Sequence, residues 1–167
     1  MSAAFPGSLC TLILADLGAE VIKIESPSGG ESGRSIPPLV KKTGVFFHMI
    51  NRNKKSITLD IRKPRGREIL LWLARRADVI VENTRPGNLA KIGLGYDDVA
   101  GVNPRIVYCS ITGFGQDGPY RDIPAHDINF LALSGILGLI GEKGRAPAVP
   151  DIQIAGAGAG GMNAAMG

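Results

Sequence analysis

One of only two histidines in the chain, His126, stands directly before a carboxylate within Pro124-Ala125-His126-Asp127-Ile128-Asn129-Phe130, just after a loop rich in Gly, Pro and Asp. An imidazole titrates near neutrality, so a neighbouring negative charge can set its proton affinity for acid or base work. His126 and Asp127 are therefore the candidate catalytic pair, and the competing reading of such a dipeptide is a helix cap or a surface pair. The second histidine, His48, lies among Phe46, Phe47 and Met49 and reads as a satisfied core imidazole.

A second concentration of chemistry is cationic. Arg52, Lys54, Lys55, Arg62, Lys63, Arg65 and Arg67 crowd one stretch in which Asp60 is the only acid, within a chain of net charge +4. Such a run attracts an anion, whether nucleic acid, membrane surface or a phosphorylated small molecule. It lacks interleaved stacking aromatics and a recognition helix, which argues against nucleic acid. Cys10 and Cys109 have no metal-ligand spacing, and no metal site is expected.

These groups must be held by a scaffold, and 167 residues suffice for one domain with a sizeable core. No apolar run approaches the roughly 20 residues of a membrane helix, and the N-terminus lacks the pattern of a secretory signal. The two cysteines read as core residues of a reducing compartment, and the expected location is cytoplasmic.

Ser8 is placed to cap a helix through Leu9, Leu12, Ile13, Leu14 and Leu17, with Gly18 as its stop. A strand follows over Glu20 to Ile24, so that the chain reads as a βαβ unit begun one strand late. Residues 26–43 read as a long surface loop and 44–49 as a short helix. Strands are expected at 56–60, 79–81 and 106–111, with helices opening near Pro64, after Pro86-Gly87 and near Tyr96.

This alternation predicts an α/β fold, a mainly parallel sheet with helices on both faces. Ligands in such folds gather at the carboxyl ends of the strands, where Glu25-Ser26, Arg62-Lys63, Asn83-Thr84-Arg85 and Thr112-Gly113 emerge. Another strand is expected just before Gly156. The Gly/Ala-rich tail from 156 to 167 reads as a small-residue segment with nothing in this chain to bury against.

Several motifs occur in an order that resembles the family III CoA-transferases (CaiB/BaiF), the group that includes formyl-CoA transferase, carnitine CoA-transferase and α-methylacyl-CoA racemase. They are Leu14-Ala15-Asp16-Leu17-Gly18-Ala19-Glu20-Val21-Ile22-Lys23-Ile24-Glu25, Asn51-Arg52-Asn53-Lys54-Lys55-Ser56, Val81-Glu82-Asn83-Thr84-Arg85-Pro86-Gly87, Leu94-Gly95-Tyr96 and Gly113-Phe114-Gly115-Gln116-Asp117-Gly118-Pro119-Tyr120. The resemblance implies a Rossmann-like large domain, here residues 1–167 without its first strand and without the family's smaller domain. It implies an acyl-CoA thioester as substrate and a homodimer of interlocked subunits, or a partner that supplies the missing domain.

The family's CoA-contact positions fall on Arg34, on Leu59, Asp60, Ile61 and Arg62, on Asn83, Thr84 and Arg85, on Lys91, and on Pro124, Ala125, His126 and Asp127. The cations would meet phosphates, and Leu59 would meet adenine. His126, oriented by Asp127, resembles the racemase pattern, in which two bases work on opposite faces of an α-carbon.

At the place of the family's acidic residue, nucleophile in transferases and second-face base in racemases, this chain has Gly156. Asp151 lies close in sequence and is expected to point elsewhere. Glycine neither forms a mixed anhydride nor holds a proton, so the expected function is acyl-CoA transfer or α-methylacyl-CoA racemisation impaired by Gly156 and by the shortness of the chain. The alternative is a non-catalytic CoA-binding or assembly subunit. The run Gly156-Ala157-Gly158-Ala159-Gly160-Gly161 also fits a dinucleotide fingerprint, but the acidic ribose partner about 20 residues on is lacking.

Overall fold

The computed structural model describes residues 1–167. Helix α1 spans Phe5–Asp16, followed by strand β1 at Val21–Glu25. A 3-10 turn at Ser32–Ser35 and a small hairpin, β2 at Leu39–Val40 and β3 at Thr43–Gly44, lead into α2 at Val45–Asn51. Then come β4 at Lys54–Thr58, α3 at Pro64–Ala74, β5 at Val79–Glu82, a 3-10 turn at Ala90–Ile92, α4 at Tyr96–Ala100 and β6 at Val107–Ser110. The last third holds α5 at Asp127–Leu133, a 3-10 turn at Ile136–Leu139, and a π-helix at Ala155–Met162 that continues as α6, Asn163–Met166.

The fold class is α/β with parallel pairing, as the alternation predicts. β1 pairs with β4 from Val21↔Lys54 to Glu25↔Thr58, and β5 pairs with β6 from Val79↔Val107 to Glu82↔Ser110, both parallel. The pairs are not hydrogen-bonded to each other. The Met1 amine donates to the Val81 carbonyl at 2.9 Å and the Lys23 ammonium to the Ser2 carbonyl at 3.0 Å, so the opening residues run between β5 and β1. No helix is long and apolar enough to cross a membrane.

Apolar burial joins these layers. Ala74, Ile80, Val99 and Ile106 form one cluster across α3, α4 and the β5–β6 pair. Leu70, Leu89 and Leu94 form a second, beneath the end of β4. Asn103 ties the two sides together, its amide donating to the carbonyls of Ala74 and Ala77.

Several expectations are corrected. α1 begins at Phe5 with Pro6 in its first turn, and Ser8 is a fully buried residue inside it, not its cap. Residues 26–43 are not one loop, because they contain the 3-10 turn and most of the hairpin. No strand precedes Gly156: Ile152 and Gln153 are exposed and the chain enters the π-helix directly, which removes the strand context of a dinucleotide fingerprint.

The tail also has a partner within the chain. Gly160 and Gly161 lie against α1, where a Cβ at 161 would stand 2.9 Å from the Pro6 carbonyl oxygen and 3.0 Å from the Leu9 Cβ. The small residues let two helix backbones approach closely. His48 is exposed, not a core imidazole, and meets Phe47 edge-on at 6.3 Å between ring centroids.

Candidate functional site

Parallel strands release their carboxyl ends on one rim, and a cavity of about 290 Å³ opens there. Its walls come from Ile24 to Ser26 at the end of β1, Leu59 to Arg62 after β4, Asn83 and Thr84 after β5, and residues Met1 to Ala3. The segment after β4 is turned by Asp60, whose Oδ1 accepts the Arg62 N–H at 3.1 Å. Gly66 backs this turn so closely that a Cβ there would collide with the Asp60 carbonyl.

Leu59 and Ile61 offer half-buried apolar surface, while the Arg62 guanidinium is exposed and makes no hydrogen bond or ion pair within the chain. Asn83 works differently: its Nδ2 donates to the Ala3 carbonyl at 2.6 Å and its Oδ1 accepts the Ala3 N–H at 2.9 Å. The Thr84 hydroxyl donates to Glu82 at 2.7 Å. Both side chains shape the wall rather than present free groups. Arg85 and Lys91 are exposed and lie outside the cavity lining, and Pro124 lines neither this cavity nor the next.

Arg34 stands behind the wall. Its Nε and one terminal nitrogen donate to the two oxygens of Glu25, and its guanidinium lies 3.8 Å from the centre of the Phe47 ring. Glu25 is only 5 % exposed, and the Arg34 hydrogen bonds, with help from Ser56, hold its carboxyl down at about 2 despite the opposing effect of burial.

Next to it, Lys23 and Glu31 form an ion pair at 2.6 Å with both side chains almost fully buried. Glu31 also accepts the Ala4 N–H and an Asn51 amide hydrogen. Lys54 donates to the carbonyls of Ser8 and Ile50 and to Asn51 Oδ1, and burial lowers its ammonium to about 8. Sequence reasoning missed this network. Its signal was the alternation in β1, which puts Lys23 and Glu25 on one face, and that face is the buried one.

The basic run is largely spent inside the chain. Arg52 pairs with Asp16, Lys55 with Glu20 and Arg65 with Glu68, while Lys54 serves the buried network and Arg67 donates to the Arg62 carbonyl. What remains toward solvent near the cavity is Arg62 and Lys63.

A second cavity of about 400 Å³ begins where Ala4 and Pro6 follow the residues lining the first. It brings together Ala125, His126, Asp127 and Gly156, with Asp151 and Gln153 on its wall. Asp151 thus faces the same space as His126 and does not point elsewhere as expected. His126 is the residue before α5; its N–H donates to Asn129 Oδ1 at 2.9 Å, and its imidazole is exposed and makes no hydrogen bond.

α5 is seated by the loop before it. Phe130 packs on Phe114 at 5.2 Å between centroids, and the missing side chain of Gly113 makes room for its ring. Asp127 does not orient His126. Its Oδ1 accepts the Gly156 N–H at 2.6 Å and its Oδ2 the Ile154 N–H at 3.0 Å. A Cβ on Gly156 would stand 3.0 Å from Gln153 Oε1 and 3.4 Å from Asp127 Oδ1, so a side chain at 156 would enter this cavity.

Residues 1–167 match the family model described as CoA-transferase family III. The succinyl-CoA:glutarate CoA-transferase of Mus musculus is 44% identical over 149 residues, 89% of this chain and 34% of that protein. The alpha-methylacyl-CoA racemase of Homo sapiens is 36% identical over 167 residues, 100% of this chain and 40% of that protein. A crystal structure of a CAIB/BAIF family protein from Brucella suis superposes with a TM-score of 0.92 at 38% identity, covering 99% of this chain and 45% of that one. The chain therefore spans less than half the length of these relatives.

Proposed function

The chain belongs to CoA-transferase family III, and from that premise we propose that it binds an acyl-CoA with the nucleotide end in the strand-end cavity and the thioester in the cavity of His126. One observation carries this reading: the two cavities adjoin through residues 1–6, so a ligand with a phosphorylated head and a long flexible arm could occupy both. Arg62 supplies the free cation for a phosphate, and Arg85 and Lys91 are exposed as well. Leu59 and Ile61 supply apolar surface for adenine. Arg34 supports the wall through Glu25.

His126 is the acid/base group of the reading. In α-proton chemistry its imidazole removes the proton beside the thioester carbonyl and returns it. Position 156 offers only a backbone, which supplies neither a nucleophile nor a second-face base, and Asp127 is committed to two amides. Covalent CoA transfer and two-base racemisation are therefore impaired in this chain. Its two free cysteines suit a reducing cytoplasm. The exposed apolar residues of the last third, Leu133, Leu139, Val149 and Ile152 among them, suit cover by a second subunit or a partner.

Titration calorimetry with CoA tests the binding half. Binding by the wild-type chain, weakened about tenfold by Arg62→Ala and within twofold in Arg65→Ala, is expected, since a charged hydrogen bond contributes about 1.5–3 kcal/mol. Indifference to millimolar CoA, or equal binding by the Arg62→Ala chain, overturns the reading. A non-catalytic CoA-binding subunit is the second reading, favoured by Gly156; it predicts the same binding with no exchange of α-protons.

A further inference from the structure

We infer that Asp127 is a positioning residue and not a proton-transfer partner of His126: its carboxylate splints the opening of the glycine-rich helix to the start of α5, fixing the backbone at 156 relative to the imidazole. The inference rests on the reading of the His126 cavity as the reaction chamber.

Peptide N–H groups at the beginning of a helix have no carbonyl one turn back to accept them. Ile154 and Gly156 are two such groups, and Asp127 gives each its own oxygen, at 3.0 and 2.6 Å. An ionised acceptor makes these bonds short and strong, and a carboxylate is favoured at the positive end of the helix.

The segment that they hold needs holding. It contains Gly156, Gly158, Gly160 and Gly161, residues that lose the most conformational freedom on becoming ordered, and it winds as a π-helix, a form rarely sustained over this length. Its far end is seated by Gly161 against Pro6 and Leu9. Its near end is tied by Asp127.

The other side of the splint is firm. Phe130 is gripped by Gly113 and Phe114, and the His126 N–H is bonded to Asn129. His126 and Asp127 are consecutive, so whatever aligns the carboxylate with the two amides also sets the imidazole's distance from position 156. Each oxygen is committed to an amide, and none of the carboxylate's hydrogen bonds reaches the imidazole.

The test compares the wild-type chain with Asp127→Asn, which replaces one acceptor oxygen by a donor. Amide hydrogen exchange at 154, at 156 or at both is expected to accelerate at least tenfold, while the amides of β1 keep their protection. The ring ¹⁵N shifts of His126 in the wild-type chain, followed by NMR, are expected to be those of an imidazole with no hydrogen bond to a carboxylate, and to keep that pattern in the Asn chain. Unchanged exchange at both amides overturns the inference, and so does a ring ¹⁵N signature of a hydrogen bond from His126 to the carboxylate that disappears in the Asn chain, which would put the carboxylate at the imidazole's service.

Should the Asn chain fail to fold, Asp127→Ser carries the test. Its shorter side chain carries one oxygen in place of the two that the amides use, so at least one of the two is expected to exchange faster. CoA affinity of the wild-type chain, measured alongside, separates the two readings: failure to bind CoA removes the reaction-chamber reading, and the exchange result still decides the splint.

Discussion

Arg34 grips Glu25 with two parallel hydrogen bonds, Nε to Oε2 and a terminal nitrogen to Oε1, each 2.7 Å long. The pair joins the loop after β1 to the strand itself, and Glu25 also accepts the Glu31 N–H and the Ser56 hydroxyl. One carboxylate thus organises the wall of the strand-end cavity. Removing either partner leaves the other without its counter-charge beside a buried network, a change far more costly than loss of an exposed pair.

The first prediction concerns acid stability. The Glu25 carboxyl is held at about 2 against an ordinary 4.5, so below pH 5 the unfolded chain binds more protons at this position than the folded one. The stabilisation is full above the unfolded value and is lost as pH falls through the folded one, and the loss amounts to up to about 3 kcal/mol. Denaturant melts of wild type and Glu25→Gln between pH 7 and pH 2.5 are expected to show a gap that narrows with acid. A constant gap would mean that Glu25 acts by shape and not by charge.

The alternation of strands and helices was legible because β-branched runs such as Val79-Ile80-Val81 are short and bounded, and because Pro64 opens a helix where its ring fits. The rim was legible too, since parallel strands end on one side. What could not be read were partnerships between residues far apart in sequence. Lys23 and Glu31 look like surface charges until the loop folds back over β1. Asp127 looks like a partner for its neighbour until the amides 27 and 29 positions later arrive. The strand expected before Gly156 failed for a related reason: Ile152 and Ile154 suggest alternation, but close packing of the following glycines on α1 fixes that segment as helix.

A second prediction follows from that packing. Gly161→Ala would place a methyl group 2.9 Å from the Pro6 carbonyl oxygen and 3.0 Å from the Leu9 Cβ, neither of them the mobile end of a long side chain. Overpacking of this kind costs about 1–3 kcal/mol. Gly158→Ala, with open space at the same distance, is expected to be neutral or slightly stabilising. Equal melting temperatures for the two variants would count against the helix contact.

Thiol chemistry gives a third. Burial pushes the Cys10 thiol up to about 11, and burial followed by the Glu82 charge raises Cys109 as well. Little thiolate exists at either position near neutrality, and thiolate is the reactive form. Alkylation at pH 8 is expected to be at least about tenfold slower in the folded chain than after unfolding in guanidinium. Rapid labelling of Cys10 in the folded chain would show that α1 opens readily.

The last prediction concerns stereochemistry. A single base on one face of an α-carbon can remove a proton and return one from solvent only on that same face, whereas inversion requires a donor opposite. His126 is the one acid/base side chain of its cavity whose neighbours in the chain leave it free for this work apart from exposed Asp151. A 2-methylacyl-CoA incubated in D₂O with the wild-type chain is therefore expected to gain deuterium slowly with its configuration retained. Gly156→Asp, whose side chain would project beside Gln153 and Asp127, is expected to convert part of that exchange into inversion. Inversion by the wild-type chain would require a second base, and its survival in Asp151→Asn would exclude Asp151 as that base; absence of exchange in every chain, with CoA still bound, would select the non-catalytic reading.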